Sequence, residues 1–413
     1  MKFLYNILMM ISEKVVQLFG NFFGQKVRYF RQGQQHSFAS VKKCLQSGKK
    51  TIWFHVSSLG EYEQALPVIE AVKEKYPDAQ IALSFFSPSG YEIKKDKTPA
   101  DCVFYLPIDT QKNARRLLEI LQPAMVFFVK YDLWPNYLFA LQKQQIPVYL
   151  ISGVFKENHS FFKSYNAWLK KSLKAFRHFF VQDKASEKVL KKNGFTNITV
   201  TGDTRFDRVF QIAQKAQHLD FIEKFKQNNT LLVAGSTWPK DEELLLSYLN
   251  GLQAKTKTII APHEVDRQHI QQITAQLKRK YILYTDINDD TDLSTYEVLI
   301  LNTIGLLNKV YKYADVVYIG NGFGKSIHNV QEPAVYGVPI VTGPQIHKFK
   351  EAVDLAKLGG LTVIKDKQSF EQTLTQLLQD ESLRAKQAEI TRQYALKNIG
   401  ATEKIIHLLP EKL

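Results

Sequence analysis

The chain has 413 residues, of which 45% are hydrophobic and 23% charged, a composition that excludes disordered, collagen-like and fibrous proteins. Its length suits two or three domains, and its formal net charge of +15 points to an anionic partner: nucleic acid, a membrane surface or a phosphorylated substrate. The two cysteines, Cys44 and Cys102, lie far apart, without a CxxC or Cys/His cluster. This spacing argues against a disulfide scaffold or a thiolate zinc site and favours a reducing compartment.

The most hydrophobic stretch opens the chain and is interrupted by Glu13 and Lys14. It falls short of the roughly 18 uninterrupted apolar residues of a spanning helix, and it lacks a signal-peptide cleavage site. Helical spacing puts apolar residues on one face: Leu4, Leu8, Ile11, Val15, Leu18 and Phe22. The first 60 residues carry nine Lys or Arg and one acid. Residues 1–35 are therefore predicted to form an amphipathic, membrane-associating helix and a basic segment. The alternative is a helix that packs on its own domain.

After residue 50, β-rich runs alternate with helical stretches such as Leu66–Lys75, Asn113–Leu121 and Lys184–Lys192. A first series of strands is predicted at Thr51–Val56, Gln80–Phe86, Cys102–Pro107, Met125–Tyr131, Pro147–Gly153, His178–Gln182 and Ile198–Thr201. A second series is predicted at Leu231–Ala234, Thr258–Ala261, Tyr281–Thr285, Val298–Leu301, Val316–Ile319, Pro339–Thr342 and Leu361–Ile364. The alternation predicts two doubly wound α/β domains with mostly parallel sheets, at residues 36–205 and 230–413, joined by a polar linker at 206–229. Ligands of such sheets bind beyond the carboxyl ends of the strands.

The first strand runs into the segment HVSSLGE, residues 55–61. Small residues there leave the backbone open to a ligand, and Glu61 would stand at the start of a helix. A carboxylate in that position can act as a general base. The alternative is a first-turn glutamate that interacts only with the helix dipole.

In the second half, Ser236 and Thr237 precede a predicted helix start, where hydroxyls and backbone N–H groups can cradle a phosphate. Plain helix capping is the alternative, and the P-loop lysine pattern of ATPases is missing. A later glycine-rich turn, residues 320–324, departs from the GxGxxG spacing, so a nicotinamide enzyme is not indicated. Beyond it, Glu332 could hold ribose hydroxyls, while His328 and Lys325 could meet a phosphate.

Six motifs carry a family resemblance: HVSSLGE at 55–61, DLWPN at 132–136, VTGDTRFD at 200–207, AGST at 234–237, HN-x-x-EP at 328–333 and VPIVTGP at 338–344. In these motifs the sequence resembles the bacterial 3-deoxy-D-manno-octulosonic acid (Kdo) transferases over nearly the whole chain. The resemblance implies GT-B architecture: two Rossmann-like domains with the active site in an interdomain cleft. It implies CMP-Kdo as donor, the lipid A disaccharide bisphosphate precursor as acceptor, and the cytoplasmic face of the inner membrane as location.

The resemblance also implies roles for individual residues. Glu61 falls on the catalytic base. His328, Asn329 and Glu332 fall on the family's donor-binding loop, and Ser236 and Thr237 on a second donor contact. His263, Gly322 and Lys325 are predicted to complete the donor site, and Gly60, Asp132 and Arg205 are predicted to bind the acceptor. No metal or other cofactor is expected, and transfer would invert the anomeric configuration in one displacement.

Three positions depart from the family pattern. An arginine expected near the donor phosphate is replaced in the segment Pro262-His263-Glu264, where His263 or the nearby Arg267 could substitute. Where the family frequently has a glutamate, this sequence has Lys130, although Asp132 retains the second acid. Where the family frequently has an aspartate, this sequence has Asn302.

Residues 156–192 hold ten Lys or Arg against three acids, and Arg205 is expected to end a strand nearby. This side of the first domain is predicted to face the membrane and guide the acceptor's phosphates, unless it is simply a solvated basic face. Two other functions stay open. One is a different sugar-nucleotide enzyme, either another glycosyltransferase or a UDP-sugar epimerase. The other is a non-catalytic protein that binds anionic membranes or nucleic acid. No nucleic-acid-binding module is recognised in the sequence, and nucleic acid is not expected as a partner.

Overall fold

The computed structural model of the chain describes residues 1–251 and 256–413. They divide into two compact units: Met1–Arg208 with Ile399–Leu413, called the first unit, and Val209–Asn398, called the second unit. The strands are β1 Thr51–Val56, β2 Gln80–Phe85, β3 Cys102–Tyr105, β4 Pro123–Val129, β5 Val148–Gly153, β6 Phe176–Val181, β7 Ile198–Val200, β8 Thr230–Thr237, β9 Thr256–Pro262, β10 Tyr281–Leu283, β11 Val298–Ile300, β12 Val316–Ile319, β13 Ile340–Thr342 and β14 Leu361–Val363.

Helices form the amino-terminal segment, many of the connections between strands and the segment that follows β14. They are α1 Lys2–Phe19, α2 Gln25–Cys44, α3 Leu59–Lys75, α4 Pro88–Lys94, α5 Gln111–Leu121, α6 Pro135–Lys143, α7 Ala167–Ser172, α8 Lys184–Lys192, α9 Arg205–Gln214, α10 Asp220–Lys226, α11 Pro239–Gly251, α12 Arg267–Gln276, α13 Leu307–Val310, α14 Gln331–Val335, α15 Lys350–Leu358, α16 Lys367–Gln379, α17 Glu381–Asn398 and α18 Ala401–His407.

Each unit contains one seven-stranded sheet in which neighbouring strands run parallel. The strand order is β3-β2-β1-β4-β5-β6-β7 in the first unit and β10-β11-β9-β8-β12-β13-β14 in the second. The order reverses between β1 and β4 in one sheet and between β8 and β12 in the other. Such reversals open a crevice at the carboxyl ends of the two strands, where doubly wound sheets bind their ligands.

The sheets are apolar because helices cover both of their faces. In β1 every residue is buried, and successive side chains alternate between two apolar clusters. Trp53 packs with Val126 and Phe128 in one cluster, whereas Phe54 packs with Phe127 in the other. The fourteen predicted strands are confirmed, with ends shifted by no more than three residues, and helix α8 has its predicted bounds.

The end of the chain returns to the first unit, whereas the sequence pattern placed all of residues 230–413 in the second domain. The Asp207 carboxylate accepts hydrogen bonds from the backbone N–H groups of Gly400 and Thr402, each at 2.6 Å, at the start of α18. Ile405 and Leu409 of the same segment are buried in the core of the first unit. Helical periodicity reveals an apolar face but not the sheet on which it packs, so this return is not readable from the sequence.

Helix α1 docks on the first unit through its polar side. The Tyr5 hydroxyl donates to Asp109 Oδ2 at 2.7 Å, and Asn113 Nδ2 donates to Glu13 Oε1 at 2.7 Å. The predicted apolar face is turned outward: Leu8 is 55% exposed, Ile11 53% and Leu18 68%. Packing on its own domain therefore accounts for only one face of the helix. In the described residues, no helix is both long enough and apolar enough to cross a bilayer.

The two cysteines form a disulfide between the end of α2 and the start of β3, with a Cα–Cα distance of 5.2 Å. Helix α2 packs along β3, the edge strand of the first sheet, and this contact brings Cys44 to Cys102. Their separation of 58 residues in the sequence was therefore a poor guide to their distance in the fold. The cysteine pattern consequently gives no support to the predicted reducing compartment.

Candidate functional site

Glu61 lies in the first turn of α3, just after β1, where the strand order of the first sheet reverses. Its Oε2 atom accepts hydrogen bonds from the backbone N–H groups of Ser57, at 2.6 Å, and Ser58, at 3.2 Å. With the Ser58 side chain, these contacts form a capping box at the start of α3. The capping alternative raised by the sequence is therefore present, and it fixes the carboxylate at the strand end. Oε1 has no hydrogen-bond partner among the described residues.

The surroundings of Glu61 make its carboxyl group a stronger base. Glu61 is only 8% exposed to solvent. Burial, followed by the negative charge of Asp132, raises the pKa of Glu61. The Ser57 hydrogen bond and the nearby His55 and Lys130 act in the opposite direction but do not cancel the increase. A general base works best when its pKa approaches the working pH, so this shift suits proton abstraction.

Asp132 is held by a polar network that crosses three neighbouring strands. The buried His55 on β1 places Nε2 2.7 Å from Asp132 Oδ2 and Nδ1 2.8 Å from the Ser84 hydroxyl on β2. The Ser57 hydroxyl and the indole N–H of Trp134 also donate to Asp132 Oδ2, the latter at 3.0 Å. Strand pairing sets this geometry, because β1 lies between β2 and β4.

The same network keeps Asp132 ionised. Burial alone would raise the pKa of Asp132, but the hydrogen bond and charge of His55, with the donors Ser57 and Trp134, lower it below its usual value. Asp132 therefore supplies a fixed negative charge near Glu61. The sequence suggested an acceptor-binding role for Asp132 and did not identify His55 or Trp134 as its partners. A histidine inside an otherwise apolar strand, TIWFHV, was the available signal.

The two other candidate acceptor residues flank the same end of α3. Gly60 is exposed in its first turn. Arg205 binds Asp203 Oδ2 through Nη2 at 2.8 Å, and Asp203 Oδ1 accepts a hydrogen bond from Gln64 Nε2 on α3 at 2.9 Å. Arg205 begins α9, which corrects the expectation that it ends a strand: β7 already ends at Val200.

In the second unit, the ends of β8, β9 and β12 converge at the other strand reversal. The backbone N–H of His263, just after β9, donates to the Thr237 carbonyl at 2.9 Å. The Asp241 carboxylate joins the ends of β8 and β12, since it accepts from the backbone N–H groups of Trp238, at 3.0 Å, and Asn321, at 2.6 Å. Burial raises the pKa of Asp241. Sequence reasoning did not single out Asp241 or Trp238.

The two hydroxyl residues at the end of β8 have different environments. Thr237 is fully buried, and its hydroxyl donates to Glu242 Oε1 at 2.9 Å. Ser236 is partly exposed and has a left-handed backbone, with φ of 53°. Only Ser236 thus offers a hydroxyl toward solvent at this strand end.

The glycine-rich turn packs closely against its neighbours. A Cβ atom on Gly322 would collide with the backbone of Gly343, and one on Gly320 would collide with the backbone of Ser236. Glycine is therefore required for packing at both positions, whether or not a ligand binds. Lys325, farther along the turn, is exposed.

Beyond the turn, His328 lies against two aromatic rings. The indole N–H of Trp238 donates to His328 Nε2 at 2.9 Å. The His263 ring is stacked on Trp238, with centroids 4.7 Å apart, and lies 4.6 Å from the His328 ring. His263, one of the two residues that could substitute for the family arginine, is thus brought together with His328.

The last two candidate donor residues form a local pair at the start of α14. Asn329 Nδ2 donates to Glu332 Oε1 at 3.3 Å, and Asn329 Oδ1 accepts from the Gln331 N–H at 2.9 Å. Within the described residues, no group of three or more His, Cys, Asp and Glu side chains is placed to hold a metal ion.

The sequence profile of the 3-deoxy-D-manno-octulosonic-acid transferases matches residues 31–208, the part of the chain that contains Glu61, Asp132 and Arg205. The chain is therefore similar to the Kdo transferases, the resemblance that its motifs indicated. A Kdo transferase of Haemophilus influenzae is 23% identical over 424 residues, an alignment that covers 99% of this chain and 98% of the relative. Kdo transfer is glycosyl transfer, so this similarity supports a glycosyltransferase.

Solved structures show that the chain has the GT-B fold, which the family resemblance implied. The UDP-GlcNAc 2-epimerase of Neisseria meningitidis bound to UDP-GlcNAc superposes with a TM-score of 0.61 at 14% identity, covering 86% of this chain and 98% of that one. Acinetobacter baumannii MurG superposes with a TM-score of 0.56 at 15% identity, covering 87% and 98%. Identities this low show the fold alone.

Proposed function

We propose that this protein transfers Kdo from CMP-Kdo to the disaccharide bisphosphate precursor of lipid A, lipid IVA, during synthesis of the lipopolysaccharide core. The similarity to Kdo transferases supports Kdo as the sugar. The observation that carries the reaction is Glu61, a carboxylate fixed at the strand reversal of the first sheet, whose pKa is raised by burial and by Asp132.

In this mechanism Glu61 accepts the proton of the attacking acceptor hydroxyl. The hydroxyl oxygen forms a bond to the anomeric carbon of Kdo while the bond from that carbon to the CMP phosphate oxygen breaks. One displacement inverts the anomeric configuration. Ser57 and Ser58 bind only Oε2, and Oε1 is the atom we assign to the proton.

The donor is proposed to bind at the strand reversal of the second sheet. CMP leaves as an anion and needs positive potential and hydrogen-bond donors rather than a proton. His263, Lys325 and His328 can supply them in the absence of the family arginine, with Ser236 as a further hydroxyl donor. Asn329 and Glu332 are proposed to bind the ribose. None of these steps requires a metal ion or another cofactor.

The acceptor is a lipid, and the outward apolar face of α1 supports a location on the cytoplasmic face of the inner membrane. Exposed apolar side chains flanked by lysine and arginine suit an interfacial helix on anionic lipid. We propose that Gly60 and Arg205, with the basic residues 156–192, receive the acceptor's phosphorylated headgroup next to Glu61.

A UDP-sugar epimerase is the second candidate, because such enzymes share this fold. Nucleotide protection separates the two functions. In thermal unfolding of the full chain, CMP should raise the midpoint and UDP should not. Protection by UDP alone would favour the epimerase.

A further inference from the structure

The hydrogen bond between Trp238 and His328 has a chemical consequence for the imidazole. An indole N–H can only donate, so His328 Nε2 must accept and cannot itself carry a proton. A neutral imidazole has one N–H, which therefore lies on Nδ1. Among the described residues, Nδ1 of His328 has no hydrogen-bond partner. The ring is thus left with one N–H available to a ligand.

The neighbouring rings favour the neutral form of His328. Burial, followed by the nearby His263, lowers the pKa of His328 to about 4. Protonation at Nε2 would also break the hydrogen bond from Trp238. His328 should therefore remain a neutral hydrogen-bond donor through the physiological pH range.

We propose that Trp238 is a positioning residue that fixes His328 as the Nδ1–H tautomer, so that the imidazole donates a hydrogen bond to the phosphate of the donor nucleotide. The identity of that ligand rests on the proposed function, whereas the tautomer follows from the Trp238–His328 geometry alone. Stacking of His263 on Trp238 holds the indole plane in place. Trp238 acts through His328 and need not contact the donor.

The tautomer can be read by NMR of the full chain labelled with ¹⁵N-histidine, since protonated and unprotonated ring nitrogens have well-separated shifts. His328→Gln identifies the resonances among the ten histidines. At pH 7.5 we expect a protonated Nδ1 and an unprotonated Nε2 in His328. A proton on Nε2 would overturn the proposal without any donor being present.

Trp238→Phe removes the N–H but keeps an aromatic ring for His263. We expect His328 to lose its fixed tautomer and to gain a higher pKa. CMP should bind about tenfold more weakly or worse, as for a lost hydrogen bond to a charged group. Trp168→Phe is the matched control, because the buried Trp168 N–H has no partner among the described residues. That control should leave the His328 signals and CMP affinity unchanged.

A comparison of CMP with cytidine tests the phosphate contact of His328 separately from its tautomer. In the unsubstituted protein, CMP should shift the Nδ1 resonance of His328, and cytidine, which lacks the phosphate, should not. Equal shifts with both ligands, or unchanged CMP affinity in Trp238→Phe, would contradict the phosphate contact. If the unsubstituted protein does not bind CMP, this result would instead count against the proposed donor. The ¹⁵N shifts of His328 in the ligand-free protein would still decide the tautomer.

Discussion

The His55 imidazole lies 2.7 Å from the Asp132 carboxylate, although 77 residues separate them in the chain. They meet because β4 pairs with β1 at the reversal of strand order in the first sheet. The contact holds an ionised Asp132 near Glu61 and contributes to the basicity of Glu61. A buried polar network thus prepares the carboxylate that we assign as the base.

Replacing Glu61 by Gln tests its role as the base separately from its role as a helix cap. The amide oxygen can still accept the Ser57 and Ser58 N–H bonds, but it cannot take a proton from the acceptor. We expect turnover to fall by about 10²–10⁴-fold, with the melting temperature and CMP affinity retained. Steady-state kinetics and calorimetry measure both properties.

Glu74→Gln is the matched control, since Glu74 lies on the same helix and is exposed. Its turnover should equal that of the unsubstituted enzyme. Near-normal turnover in Glu61→Gln would remove Glu61 from the mechanism.

The pH dependence of turnover should report the charge of Asp132. A base must be deprotonated, so activity falls as the pH drops through the pKa of Glu61. The negative charge of Asp132 raises that pKa. Asp132→Asn should therefore move the acid limb of the kcat profile to lower pH and reduce the plateau, because the base becomes weaker.

Asp101→Asn is the comparison variant, because the Asp101 carboxylate pairs with Lys73 at 2.9 Å and does not contribute to the pKa shift of Glu61. It should leave the profile unchanged. An acid limb that moves upward in Asp132→Asn would contradict the electrostatic link.

Removing His55 should destabilise the first unit. His55→Phe removes the imidazole that lies 2.7 Å from Asp132 Oδ2, at an expected cost of about 2–3 kcal/mol in the free energy of unfolding at pH 7. The folded-state pKa of Asp132 is lowered. The stabilisation of the fold by the His55–Asp132 contact is therefore present above the ordinary aspartate pKa of about 3.9. It is lost as the pH falls through the folded-state pKa of Asp132.

Urea unfolding at several pH values measures this difference, which should narrow below about pH 4. His178→Phe is a control in the same sheet, because the His178 side chain has one hydrogen-bond partner among the described residues, the Thr199 hydroxyl at 2.8 Å. Its cost should be about 1 kcal/mol and should not follow the titration of Asp132. Equal pH profiles for the two variants would argue against the His55–Asp132 pair.

Membrane association should depend on the outward face of α1. Substituting Leu8, Ile11 and Leu18 together by Gln removes exposed apolar side chains at little cost to folding. Sedimentation with vesicles of phosphatidylglycerol and phosphatidylethanolamine should show binding at least about tenfold weaker. Binding by the unsubstituted protein should also weaken as salt rises, because the basic segments contribute electrostatic attraction.

Ile304→Gln with Leu358→Gln is the control, since both side chains are exposed in the second unit. Vesicle binding of this variant should not change. Equal losses in both variants, or binding insensitive to salt, would contradict the membrane contact assigned to α1 and the basic segments.

The sequence predicted the sheets well because their strands are short, apolar and separated by helical segments. Pairing order was not readable, and it decides which loops meet. His55 was part of a recognised motif, yet its contact with Asp132 depends on β4 lying beside β1. In the same way, the contacts of the His263 ring with Trp238 and His328 depend on the convergence of three strand ends.

The remaining differences also arise from tertiary contacts. The Cys44–Cys102 pairing follows from the packing of α2 on an edge strand, and the return of α18 follows from its capping by Asp207. Neither contact leaves a periodic pattern in the sequence. Motifs were more informative than composition about chemistry, because they marked the strand ends where the sheets reverse.

Incubation of the full chain with CMP-Kdo and lipid IVA, followed by mass spectrometry of the lipid, tests the central claim most directly. The unsubstituted protein should add Kdo to the lipid and release CMP, and Glu61→Gln should do so only at a strongly reduced rate. A lipid that gains no Kdo from the folded, CMP-binding protein would contradict the account, as would equal transfer by Glu61→Gln.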